Sequence, residues 1–175
     1  MTNDEFQKHM EDNFPRMLAG NYGGFAVGEG WYGIIESLCA NIDHHIKWKR
    51  DSRARALRMD RARDKGIESV LTLLTKGKDA SSWDVERAEG IMATPPAIPE
   101  YVTRVTVAQV KEKFGGLRFY YNGGDDYVRG LVTMAESWAD KTCEKCGNLG
   151  THRHGGWIRT LCDAHEAEYQ KNRKY

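Results

Sequence analysis

Four residues near the C-terminal end constrain this chain more than any other feature. Cys143-Glu-Lys-Cys146 is followed, after fifteen residues, by Cys162-Asp-Ala-His165. Each pair has two residues between its ligating side chains. At that spacing a tight knuckle or a first helical turn aims both side chains at one point. Three thiols and an imidazole suit an ion that takes four sulfur or nitrogen donors in a tetrahedron, and Zn2+ has that preference. Gly147 follows the first pair, where the knuckle needs a freely turning backbone. Thr151 to Thr160, with Gly155 and Gly156 in its middle, reads as a short hairpin. Cys162 and His165 then fall in the first turn of a helix running toward Lys171, whose amino end favours the Cys162 thiolate. Knuckle, hairpin and helix predict a treble-clef or zinc-ribbon-like finger over 141–175. His152 and His154 in the hairpin are the alternatives to His165. Four protein donors leave no open coordination position. The Zn2+ expected at Cys143, Cys146, Cys162 and His165 is therefore structural, holding a segment too small for its own core.

The 175 residues contain four cysteines, too few for a disulfide scaffold. No stretch approaches ~18 apolar residues without a charge. Met1 to Met10 is polar and acidic, unlike a signal or transit sequence. These features lead to the expectation of reduced thiols in a cytoplasm and no membrane partner. With 26 basic and 25 acidic residues, the chain as a whole gives no electrostatic case for nucleic acid.

The remaining pattern predicts an α+β domain: a small antiparallel sheet with packed helices. A short helix is expected over Asp4 to Met17. A glycine-dense stretch follows (Gly20, Gly23, Gly24, Gly28, Gly30). Trp31, Ile34, Ile35, Leu38, Cys39, Ile42 and Ile46 then have the spacing of one buried helical face. Lys47 to Lys65 carries nine basic and three acidic residues, a net +6, and reads as an exposed basic helix within a hairpin or a long broken helix. Ile67, Val70, Leu71 and Leu74 continue with helical spacing until Gly77. Ser81 or Ser82 caps a further helix to about Met92, and the Pro-rich stretch to Pro99 is an extended connector. Val102 to Val110 and Leu117 to Tyr121 read as strands around a glycine-containing hairpin loop, Lys111 to Gly116. After a turn at Asn122 to Asp125, a helix to Asp140 buries Val128, Leu131, Val132, Ala135 and Trp138. The expected organisation is a core over 1–140, interrupted by a basic helical insertion at about 47–93, and a finger over 141–175.

Two further sets of residues are candidates for binding. Lys113, Gly115, Gly116 and Arg118 combine bare backbone with positive charge, as a phosphate or nucleotide site does. The bland reading is a hairpin turn whose aromatics are core. Arg53, Arg55, Arg58 and Arg61 could track nucleic-acid phosphates, or simply form a solvated helix face. Asp43-His44-His45 has the letters of a phosphoesterase metal motif but sits on a helix without companion motifs. Cys39, among apolar neighbours, reads as a packed thiol. No nucleophile elbow, P-loop or dinucleotide fingerprint occurs, so nothing in the sequence supports catalysis.

Several motifs fall in one order: Gly28-Glu-Gly-Trp31 before a helix, QVKEKFGGLRFY from Gln109 to Tyr120, Ala135-Glu-Ser137, TCEKCG from Thr142 to Gly147, and GWIRTLC from Gly156 to Cys162. In these the chain resembles a group of uncharacterised small zinc-finger-containing proteins of tailed bacteriophages and prophages. The resemblance covers about Tyr22 to Ile46 and Val105 to His165, with the basic segment as a variable insertion. It carries over no catalytic residue and implies a setting only: a phage accessory protein in the bacterial host cytoplasm. The function expected from it is binding that inhibits or sequesters a host component, such as an anti-phage defence protein or a nucleotide signal. The alternative is a nucleic-acid-binding accessory protein using the basic insertion and the finger. Homo-oligomers are compatible with both.

Overall fold

Thr2 starts the first helix, α1 (Asn3–Asn13), by a reciprocal cap: its hydroxyl accepts the Glu5 N–H and the Glu5 carboxylate accepts the Thr2 N–H. The helix stops short of Met17 because Phe14 precedes Pro15, whose ring disfavours helical backbone at the residue before it. Met17 and Leu18 are still buried, in the turn that follows. The computed structural model describes residues 1–19 and 23–172; Gly20 and Tyr22 lie outside the described residues.

Packing divides the chain into two units, Met1–Ile46 with Thr103–Tyr175, and Lys47–Val102. The helix α2 (Tyr32–Asp64) is continuous through the boundary, with no break in its 33 residues. Its first part buries Ile35, Leu38, Cys39, Ile42 and Ile46, the stripe read from the sequence.

In the first unit, β1 (Phe25–Ala26), β2 (Thr103–Lys113) and β3 (Gly116–Gly124) form one sheet in that order. The β2–β3 pair is antiparallel, but β1 joins parallel to Val110 and Lys111. The sheet is thus mixed, not purely antiparallel. A two-residue strand in a glycine-rich stretch is too short to show any alternation. The hairpin turn is also tighter than expected, with only Phe114 and Gly115 between the strands, both at positive φ. Val107, Val110, Leu117 and Phe119 fill the core face of the sheet.

Helix α5 (Asp126–Ala139) is capped by the Asp125 carboxylate, which accepts the Val128 N–H, and packs against β3. Val128, Val132, Ala135 and Ala139 are buried. Trp138, expected inside, is 63% exposed. It stands on the side of α5 occupied by Met134, away from the Val128–Val132–Ala135 stripe. The Phe6 ring stacks on Tyr32 at 3.9 Å and leans on Phe25 at 5.0 Å.

The second unit holds the rest of α2 with α3 (Ile67–Thr75) and α4 (Ser82–Ala93). Gly66, at φ 103°, separates α2 from α3, and Ser81 with Asp84 caps α4. The extended stretch after α4 belongs to this unit because two arginines hold it. Arg53 donates to the Pro99 carbonyl, and Arg50 lies over the Tyr101 ring.

The cysteine-rich segment contributes β4 (Thr151–Arg153), antiparallel to β5 (Arg159–Leu161), and then α6 (Asp163–Asn172). The architecture is α+β, with six α-helices among the described residues. No described helix is long and apolar enough to cross a membrane. Phe6→Ala removes a fully buried ring from the contact between α1, β1 and α2, and its expected cost is ~3–5 kcal/mol. A chemical-denaturation midpoint unchanged by this substitution would contradict the packing described.

Candidate metal centre

The Cys143-Glu-Lys-Cys146 segment turns back on itself as a knuckle. Gly147 N–H donates to the Cys143 carbonyl at 2.9 Å and Cys143 N–H to the Asn148 carbonyl at 2.7 Å. Gly147 sits at φ 77°, the left-handed conformation that closes the turn. The second ligand pair comes from the start of α6. Cys162 directly precedes it, and the Glu166 N–H bonds to the Cys162 carbonyl at 2.9 Å. This places His165 in the first turn, over the sulfurs.

The four donor atoms of Cys143, Cys146, Cys162 and His165 lie within 4.8 Å of one another. Cys146 Sγ and Cys162 Sγ are 3.8 Å apart; His165 Nδ1 is 3.4 Å from Cys143 Sγ and 3.3 Å from Cys162 Sγ. Tetrahedral bonds of ~2.3 Å to sulfur and ~2.0 Å to nitrogen require S···S separations of about 3.8 Å and S···N separations of about 3.5 Å. The donors thus stand where a tetrahedral ion needs them, and all the cysteines are free of disulfides. His152, one alternative ligand, lies instead 3.4 Å from Asp140.

Burial opposes ionisation of Cys143. The N–H groups of Cys162, Cys146 and Lys145, together with His165, outweigh it and lower the thiol to about 6. Cys146 moves the other way: the Asn148 N–H lowers it, but burial and the neighbouring sulfurs more than offset that. Three adjacent thiolates repel one another, and a bound cation is what lets all three ionise together. With four protein donors a tetrahedral ion would have no open position for a substrate.

What the knuckle rests on was not legible in the ligand spacing. Gly28, Gly30 and Trp31, around a single 3₁₀ turn (Glu29–Trp31), dock against it. Gly30 N–H donates to the Glu144 carbonyl at 2.8 Å, Gly28 N–H to the Glu144 carboxylate at 3.0 Å, and Trp31 Nε1–H to the Thr142 carbonyl at 2.7 Å. Glu144 N–H in turn donates to the Thr160 carbonyl of β5 at 2.9 Å. Burial, the largest influence, raises the Glu144 carboxyl, and the Gly28 N–H partly offsets it. A Cβ on Gly30 would meet the Cys143 oxygen at 2.2 Å and the Gly147 and Cys146 nitrogens at 2.5 and 2.7 Å. Gly28 and Gly30 were visible in the sequence as part of a glycine-dense stretch, but nothing there named their partner.

The other candidate residues are placed differently. The Gly115 N–H is taken by the Glu112 carboxylate at 2.6 Å, and the Gly115 carbonyl accepts the Thr160 hydroxyl at 2.6 Å. Gly116 is buried, Arg118 bonds to the Leu117 carbonyl, and Lys113 lies over the Phe114 ring. The loop joins the hairpin to β5, and an anion there would have to displace Glu112. Of the basic set, Arg53 binds Pro99, whereas Arg55, Arg58 and Arg61 are exposed. Asp43 and His44 are exposed, while His45 turns to the Asp125 carboxylate at 2.9 Å, so the three side chains diverge. Cys39 is fully buried, and burial pushes its thiol up to about 12.

No protein-family model, curated protein or solved structure matches this chain significantly.

Two outcomes follow from the site. Purified protein carries one metal ion per chain by elemental analysis, and Cys143→Ser or Cys162→Ser loses it; metal-free protein whose melting is indifferent to chelators would contradict the site. Gly30→Ala forces the knuckle off its seat and costs ~1–3 kcal/mol of stability while leaving every ligand in place. Equal stability of this variant would show that the contact is not needed.

Proposed function

We propose that this is a phage accessory protein that docks on a host protein, with a structural Zn2+ holding the docking surface in shape. Cys143, Cys146, Cys162 and His165 would bind the zinc in a treble-clef-like finger. The order of knuckle, hairpin and helix, with Cys162 at the helix start, supports that reading. When bound, the ion supplies a cross-link between the knuckle and α6, and no chemistry on a substrate.

The observation that carries the proposal is a groove of about 450 Å3 in the first unit, between α2 and α5. Ile34, Leu38, Leu131, Met134 and Trp138 form its walls, and Gly30, Thr142 and Gly147 close it at the knuckle. None of its lining residues is charged, in a chain with 29% charged residues. An anionic nucleotide finds no counter-charge there, whereas an apolar segment of a protein needs none. Met134 and Trp138 are 58% and 63% exposed, the large anchors that protein interfaces favour. The resemblance to phage proteins supplies the setting, a bacterial host cell.

A photo-crosslinking amino acid at Met134, in protein expressed in bacterial cells, tests this. The expected result is one predominant host adduct, lost in Trp138→Asp and in Cys143→Ser. Adducts unaffected by Trp138→Asp would contradict docking at the groove. Heat from a panel of mono-, di- and cyclic nucleotides in calorimetry would favour a nucleotide ligand instead.

A further inference from the structure

The second unit carries a different surface. Lys47, Asp51, Arg55, Arg58 and Arg61 are all exposed on α2, at successive spacings of four, four, three and three residues. That spacing places them along one side of a single unbroken helix. Lys65, just beyond the helix, is exposed as well. Asp51 is the one acid within the stripe. Of the segment's other acids, Asp60 faces Arg63 at 3.8 Å, and the exposed Asp64 lies past the row's end, three residues after Arg61. The remaining arginines have structural work: Arg53 holds the Pro99 carbonyl, Arg63 reaches the Met92 carbonyl at 3.5 Å, and Arg50 covers Tyr101. Among the described residues, Arg58 and Arg61 make no ion pair, and Arg55 bonds only to the Ser52 hydroxyl, at 3.0 Å. The helix thus divides its charges into those spent on folding and those left facing outward.

We propose that this stripe binds the phosphodiester backbone of duplex nucleic acid. The case is independent of the groove. Lys47 to Arg61 spans ~21 Å at 1.5 Å per residue. Duplex DNA offers a phosphate per ~3.4 Å of axis on each strand, about six over that length. Arginine forks suit phosphate oxygens geometrically as well as by charge. The stripe favours duplex over single strands because it is a straight row of cations on a helix with one exposed aromatic, Trp48, whereas single-strand binders stack successive bases on several rings. It is sequence-indifferent, since backbone contacts position a protein without reading bases.

Fluorescence anisotropy of the metal-loaded full chain with a 20-base-pair DNA duplex, the matching single strand and an RNA duplex tests the proposal. Expected is duplex binding whose logarithm falls with log salt at a slope of about −4 to −5 if five cations engage phosphate, several hundred-fold between ~50 and ~200 mM. Arg55→Glu/Arg58→Glu/Arg61→Glu should weaken binding ~100-fold or more with an unchanged melting curve, and the triple Gln variant should lower the slope by about 3. Arg53→Gln should do the reverse, lowering the melting temperature and leaving the slope intact. Binding to none of the three probes at ~50 mM salt overturns the proposal and leaves the stripe to an acidic protein surface. A slope near zero, full affinity in the triple variants, or tighter binding to the single strand overturns it too.

Discussion

The contact between Gly30 and the backbone of Glu144 is the constraint on which the first unit depends. It joins the entrance of α2 to the cysteine knuckle across more than a hundred residues of chain, and the flanking Gly28 bond has a separation of 116. Closing so long a loop is entropically costly, and a single hydrogen bond does not offset it. Here the bond acts with others. Glu144 accepts the Gly30 N–H at its carbonyl and the Gly28 N–H at its carboxylate and donates its own N–H to the Thr160 carbonyl, while the buried Trp31 indole N–H donates to the Thr142 carbonyl. One residue between two metal ligands is thereby tied to both α2 and β5. A cation held by the four donors would fix the knuckle that presents these groups, and its binding energy would reach well beyond the cysteine-rich segment.

The uncharged surface of the first unit and the charged surface of the second have separate causes. Close approach at Gly30 brings the knuckle to the foot of the groove, where Thr142 and Gly147 replace longer side chains. The groove is uncharged because its walls are the outer flanks of two stripes that bury Leu38 and Ala135. In the second unit α2 has no buried residue past Ile46, and Val70 of α3 and Ala88 of α4 are the fully buried side chains among the described residues. Polar bonds from Arg53 and Arg63 to backbone carbonyls substitute there for part of an apolar core. A basic helix can therefore be both a structural element and a display of charge.

Much of this was written plainly in the sequence. The four ligands follow from spacing, and the buried face from Trp31 to Ile46 follows from periodicity, because both signals are local. The parallel strand β1 was hidden, since Phe25 and Ala26 show no alternation and their partners, Val110 and Lys111, lie far along the chain. Trp138 was misplaced because an amphipathic stripe shows which side of a helix is apolar, not whether a neighbour covers its edge. Gly115 and Gly116 looked available to an anion; the side chains that occupy that backbone, Glu112 and Thr160, become neighbours only in three dimensions. The division of labour among the arginines likewise needs the position of Pro99, which no helical pattern contains.

Hydrogen exchange at the Trp31 indole N–H, followed by NMR with and without a metal chelator, tests the central claim most directly. This proton is buried against the Thr142 carbonyl, beside the knuckle and not among the ligands. If the ion holds the knuckle and the knuckle holds the start of α2, the proton is protected in metal-loaded protein. Stripping the metal should then speed its exchange together with that of the Gly30 amide. Protection that persists unchanged in metal-free protein would contradict the account, because the contact would then stand without the ion.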